Sequence, residues 1–125
     1  MILDTNALSA WLDGDQEIER RLQAADRIAL SPIALGEFRF AVLTSRYREK
    51  YEQQLRLIER EFPPLPISGI TAANYAMLRR QLASQGRPIP WHDLWIAAQA
   101  RQHHLPVLSR DEHFDVVGEV PRVSW

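Results

Sequence analysis

The run IPWHDLWIAAQARQHHLPVLSRDEHF, from Ile89 to Phe114, decides the fold. It reads as a buried helix, a tight Pro-containing turn and a short apolar strand. Asp93 stands near the start of the helix and Asp111 just past the strand. A helix from His92 to His104 descends roughly 18 Å at about 1.5 Å per residue. An extended chain from Pro106 to Asp111 climbs back roughly 17 Å at about 3.3 Å per residue. The second carboxylate therefore returns to the level of the first, and the rest of the chain must supply partners for the pair.

Working outward, the chain alternates short apolar strands with helices. Met1 to Leu3 reads as a strand ending at Asp4, and Leu8, Trp11 and Leu12 mark a helix that stops near Asp13-Gly14. Asp15 to Ala25 forms a second amphipathic helix, and Arg27 to Leu30 the next strand. Ser31-Pro32 starts a helix that runs to about Thr44 and carries Glu37. Arg46 to Phe62 forms a longer helix, with Glu52 and Arg56 set to pair on its polar side, and Pro63-Pro64 ends it. Leu65 to Ile67 is a possible strand. Thr71 caps a helix that ends at Ser84-Gln85-Gly86, and Arg122 to Trp125 is a final strand.

This alternation predicts an α/β fold, a three-layer sandwich whose central, mostly parallel sheet is covered on both faces. Ligands gather at the carboxyl ends of strands in such sheets. Asp4 and Asp111 follow strands there, Glu37 lies two turns into the helix after the second strand, and Asp93 sits in the first turn of its helix. Each has a structural use of its own, since Asp4, Asp93 and Asp111 can cap helices or turns. Glu37, flanked by Leu35, Gly36 and Phe38, is harder to explain that way. Together the four would repel by about a few kcal/mol per pair at 4–6 Å and an effective dielectric near 20. Protons must be retained or a cation held among them. An all-oxygen set suits a hard ion such as Mg²⁺ or Mn²⁺, which activates water and neutralises phosphoryl oxygens. The implied chemistry is phosphodiester hydrolysis.

Composition sets the outer bounds. The 125 residues suit one domain spanning 1–125, and 46% hydrophobic with 25% charged residues is ordinary for a globular protein. The chain has no Cys, which excludes disulfides and Cys-ligated zinc and fits a reducing compartment. Met1-Ile-Leu opens a strand with no basic leader, and no apolar run is long enough to span a membrane, so a cytoplasmic location is expected. A net charge of −1 does not suggest a globally basic nucleic-acid binder. Fourteen of the fifteen basic residues are Arg, which suits phosphate recognition but equally reflects a compositional preference.

The run Met-Ile-Leu-Asp-Thr-Asn at 1–6, Glu37, Ile89-Pro-x-x-Asp-Leu-Trp-Ile-Ala-Ala at 89–98 and Ser-Arg-Asp-x-x-Phe at 109–114 together resemble the PIN-domain family, and more narrowly its VapC-type toxins. The resemblance spans the whole chain and implies an α/β/α sandwich and a Mg²⁺- or Mn²⁺-dependent endoribonuclease acting as the toxin of a toxin–antitoxin pair. By position, Asp4, Glu37, Asp93 and Asp111 match the family's acidic quartet, as catalytic residues and metal ligands. Asn6 and Ser109 match polar positions beside it, with Ser109 where Thr is frequent, and Ala41 falls where Gly is frequent. Asp115 is an extra acid without an assigned role. The resemblance further implies a homodimer, an RNA substrate and a cognate VapB-type antitoxin whose tail blocks the acidic cleft.

Other readings compete. His92-Asp93 suggests an HD-type phosphohydrolase, but His103 and His104 lie three turns down the same helix, too far to share a metal. The reading of those two is a solvated helix end, and of His113 a surface residue. A PIN-like chain could also be a non-catalytic RNA- or protein-binding module, or a metal nuclease acting on DNA. Trp11, Trp95 and Trp125 are read as core or interface residues and Trp91 as the candidate for exposure at the site mouth. Arg46 to Lys50 and Arg79-Arg80 are read as solvated helix faces, with RNA contact the alternative.

Overall fold

The structure, a computed structural model, describes residues 1–125. Four two-residue strands form one fully parallel sheet: β1 (Ile2–Leu3), β2 (Ala29–Leu30), β3 (Val107–Leu108) and β4 (Arg122–Val123), in the order β2-β1-β3-β4. Ile2 is level with Ala29 and Val107, and Leu3 with Leu30 and Leu108. Successive side chains of a strand point to opposite faces, and the packing follows that rule. Ile2, Ala29 and Val107 join one apolar cluster, whereas Leu3, Leu30 and Leu108 join another.

Six helices supply the covers: α1 (Thr5–Leu12), α2 (Gln16–Gln23), α3 (Pro32–Val42), α4 (Arg48–Glu61), α5 (Gly69–Ser84) and α6 (Trp91–His103). Leu78 and Leu82 of α5 pack with Leu94, Ile96 and Ala97 of α6 on the first face. Leu8 and Leu12 of α1, Ile18 and Leu22 of α2, Phe38 of α3 and Leu55 of α4 cover the second. The layered α/β architecture is the expected one. Gly14 and Gly86, at φ +78° and +65°, end α1 and α5 in the left-handed conformation that glycine adopts without penalty.

Local expectations needed correction in several places. Ser68, not Thr71, caps α5: it shares a reciprocal capping box with Thr71, and the helix starts at Gly69. Residues 65–67 are not a strand, although Leu65 donates one backbone bond to the Leu30 carbonyl at the sheet edge, 2.9 Å. Buried Gln99 holds this segment from α6 by donating to the Leu65 carbonyl, 2.9 Å. Glu52 pairs with Arg39 of α3 rather than with Arg56, because Arg39 reaches across to both Glu52 and Glu59 of α4. A 3-10 turn, Glu112–Val116, follows β3, and Asp111 caps it. No helix is long and apolar enough to cross a membrane.

Candidate active site

Asp4 follows β1, Glu37 projects from α3, Asp93 from the first turn of α6, and Asp111 from the segment after β3. The structure brings all four to the carboxyl edge of the sheet. They are joined in a closed circuit of polar contacts. The Thr5 amide donates to Asp4 Oδ1 at 2.7 Å, and the Thr5 hydroxyl donates to Glu37 Oε2 at 2.5 Å. The two nitrogens of His92 stand 3.3 Å from Glu37 Oε1 and 3.3 Å from Asp93 Oδ1. His113 Nδ1 lies 3.0 Å from Asp93 Oδ2 and 3.1 Å from Asp111 Oδ1. Ser109 closes the circuit: its hydroxyl donates to Asp4 Oδ2 at 2.8 Å and accepts from the Asp111 amide at 2.9 Å.

The structural uses of the acids are real and coexist with this convergence. Asp4 caps α1, and Asp111 accepts from the His113 amide at the start of the 3-10 turn, 2.9 Å. Asn6 stitches the two strand ends together, donating to Asp4 Oδ2 at 2.9 Å and accepting from the Arg110 amide at 3.2 Å. Asp115 stands outside the circuit. It holds Arg122 through two bonds of 2.7 and 2.8 Å, and Arg122 in turn donates to the Ser109 carbonyl at 3.2 Å. That pairing, above all the Arg122 hydrogen bond, keeps the Asp115 carboxyl below its ordinary range.

Burial divides the quartet. Asp4 and Asp93 are only 3% and 2% exposed, whereas Glu37 and Asp111 are part-exposed at the rim. Burial raises the Asp4 carboxyl above its ordinary range, against hydrogen bonds from Ser109 and Thr5, and the charges of Asp93 and Asp111 push it further up. Burial likewise raises Asp93, with Asp111 adding to it and the hydrogen bond to His113 opposing it. The bond to Asp93 raises His113 in turn. None of the four acids forms an ion pair with any Arg or Lys of this arginine-rich chain; the histidines are their only ion-pair partners. Two nearly buried carboxylates without a permanent cationic partner are chemically suited to a divalent cation. Asp93, Asp111 and His113 offer ligand atoms within 4.8 Å of one another.

The histidines correct the sequence reading. His113 is half-exposed but aims its ring into the site, so it is more than a surface residue. His92 also belongs to the circuit, though not with the ligands an HD-type site requires. His103 is part-buried rather than solvated, and burial lowers it below the ordinary imidazole range. His104 is exposed and ends α6 in the left-handed conformation, φ +53°. Trp91, which precedes His92 in the chain, is 67% exposed, with the Arg79 guanidinium 5.2 Å over its ring. Trp95 stacks on Tyr75, ring centroids 4.1 Å apart, and Trp11 packs near Phe62.

The chain matches the PIN-domain family model over residues 1–120 and belongs to that family. It falls within the VapC-type branch. Ribonuclease VapC5 of Mycobacterium tuberculosis is 35% identical over 115 residues, covering 90% of this chain and 84% of that protein. The crystal structure of VapBC-5 from Mycobacterium tuberculosis, described as a member of the VapBC family of toxin–antitoxin systems, superposes with a TM-score of 0.77 at 32% identity, over 99% of this chain and 97% of that one. FitAcB from Neisseria gonorrhoeae superposes with a TM-score of 0.83 at 29% identity, over 97% and 94% of the two chains.

Proposed function

We propose that the chain is a metal-dependent endoribonuclease, the toxin of a toxin–antitoxin pair, with Asp4, Glu37, Asp93 and Asp111 as its catalytic and metal-binding acids. The observation that carries this reading is the closed circuit joining the four carboxylates, two of them nearly buried without a permanent counter-charge. It is supported by the relative named a ribonuclease and by the toxin–antitoxin structure that superposes on the chain. The cation is Mg²⁺ or Mn²⁺, held chiefly by Asp4, Asp93 and Asp111. When bound, it supplies charge neutralisation at phosphoryl oxygens and acidifies a water.

The remaining work falls to the protein. Ser109, Asn6 and the Thr5 amide hold the Asp4 carboxylate in one orientation, so little reorganisation accompanies binding. Glu37 stands at the rim with one oxygen on Thr5 and the other on His92. It is the acid best placed to orient or deprotonate a water arriving from solvent. A VapB-type antitoxin supplying a cationic side chain would find unfilled carboxylates here and block the cleft. The toxin acts as a homodimer in the cytoplasm, where its RNA and its antitoxin meet.

Mapping cleavage sites across cellular RNA after expression of wild-type and Asp4→Ala proteins tests the assignment. New RNA ends are expected with the wild type only, and suppressed when the antitoxin is co-expressed. Equal ends from both proteins would end the proposal, and cleavage confined to DNA in a parallel assay would redirect it.

A further inference from the structure

The two site histidines meet the acids in different ways. His92 presents Nδ1 to Glu37 and Nε2 to Asp93, so its two contacts diverge from opposite sides of the ring. It is built as a strut. His113 presents the single atom Nδ1 to Asp93 Oδ2 at 3.0 Å and to Asp111 Oδ1 at 3.1 Å. One ring nitrogen carries at most one hydrogen and cannot make two linear hydrogen bonds. The same spacing has a second meaning. Neighbouring ligands of an octahedral ion at about 2.1 Å stand about 3.0 Å apart. Nδ1 therefore stands from each of the two carboxylate oxygens at the spacing of adjacent ligands in one coordination sphere, and the three residues offer ligand atoms within 4.8 Å of one another. The backbone keeps His113 there: Asp111 caps the 3-10 turn by accepting from the His113 amide, which folds the ring back over its own capping residue.

Resting on the metal-site reading above, we infer that His113 is itself a metal ligand, completing a mixed nitrogen and oxygen set with Asp93 and Asp111, and that it tilts the site toward Mn²⁺ over Mg²⁺. Imidazole nitrogen binds first-row transition ions better than it binds Mg²⁺, and Mn²⁺ is the member of that series that also suits the surrounding carboxylates. Reliance on oxygen alone would leave Mg²⁺ and Mn²⁺ nearly interchangeable. His92, whose nitrogens face different acids, takes no part in the coordination.

The test uses Mn²⁺ alone, added to metal-free full-length protein and read by pulsed electron paramagnetic resonance. The bound ion is expected to show coupling to an imidazole nitrogen. That pattern should change when the protein carries ¹⁵N-histidine, vanish in His113→Ala and persist in His92→Ala. The affinity ratio of Mn²⁺ to Mg²⁺, measured by competition, should fall at least tenfold in His113→Ala. Coupling that is absent in the wild type, or survives in His113→Ala, overturns the inference, as does an unchanged affinity ratio. Should His113→Ala fail to fold, labelled wild type and His92→Ala decide between ligand and strut. Binding lost in Asp93→Asn but without imidazole coupling in the wild type would refute the histidine ligand and leave the acidic site standing. No Mn²⁺ binding to wild type at all would remove both.

Discussion

Ser109→Ala probes the circuit at the point where it crosses from β1 to β3. The hydroxyl is fully buried, donates to Asp4 Oδ2 at 2.8 Å and accepts from the Asp111 amide at 2.9 Å. Alanine removes one charge-assisted hydrogen bond and leaves the Asp111 N–H without its acceptor. Asp4 keeps the Asn6 amide and the Thr5 N–H, so its desolvation is only partly uncovered. A hydrogen bond to a charged group contributes about 1.5–3 kcal/mol and a neutral one about 1, less here because Asp111 is near solvent. The expected loss is about 2–3 kcal/mol, or roughly 10 °C in melting temperature for a chain of this size. Metal affinity should fall about 10–100-fold, as when other groups that orient ligands are removed. Urea unfolding at pH 7.5 gives the stability, and calorimetric titration with Mn²⁺ the affinity. In an Asp4→Asn background the same serine substitution should cost about 1 kcal/mol less, because the charge-assisted part is already gone. A cost below about 0.5 kcal/mol, or equal costs in the two backgrounds, would show that Ser109 does not support Asp4 in the way described.

Three further outcomes are expected. A divalent cation at a hundredfold excess over its dissociation constant should stabilise the wild type by about 2.7 kcal/mol and leave Asp93→Asn unmoved in the same thermal melt. For Asp4 and Asp93 burial places the folded pKa above the ordinary 3.8, so the metal-free fold holds their protons more tightly than the unfolded chain does. Their contribution to stability is therefore greatest near and below pH 3.8 and is lost as pH rises through the raised values, so the melting temperature of metal-free Asp93→Asn should gain on that of wild type from pH 4 to 8. A variant-minus-wild-type difference in melting temperature that falls with rising pH would contradict that sign. Arg39→Ala cuts the part-exposed link to Glu52 and Glu59 and should cost only about 0.5–1 kcal/mol, while leaving RNA cleavage intact.

Much of the site was legible in the sequence because a parallel β–α alternation sends every strand's carboxyl end to the same edge. Asp4 and Asp111 needed only their place after a strand, and Asp93 only its place in a first helical turn. The motifs of the PIN resemblance then tied Glu37 to the other three. His113 is not found by hydrophobic patterning, which does not show that residues 112–116 coil into a 3-10 turn rather than continue outward. A capping aspartate followed two residues later by a histidine was the available signal. His92 was set aside for lacking the ligands of one particular metal site, and its simpler use as a strut between Glu37 and Asp93 depends on where α3 packs. Ser68 escaped because its capping box uses Thr71 where Glu or Gln is usual. The Glu52–Arg56 pairing failed for a tertiary reason, since Arg39 lies on a neighbouring helix and offers Glu52 and Glu59 a shared partner.

The most direct measurement is cleavage of a mixed cellular RNA by purified wild-type and Asp93→Ala proteins, each with Mn²⁺ and with EDTA, and with single-stranded DNA run in parallel. Asp93 is the acid at the centre of the circuit, in contact with both histidines. Cleavage of RNA by the wild type with Mn²⁺, and in no other lane, is the predicted result. Cleavage by Asp93→Ala at the wild-type rate, or undiminished cleavage in EDTA, would contradict the account.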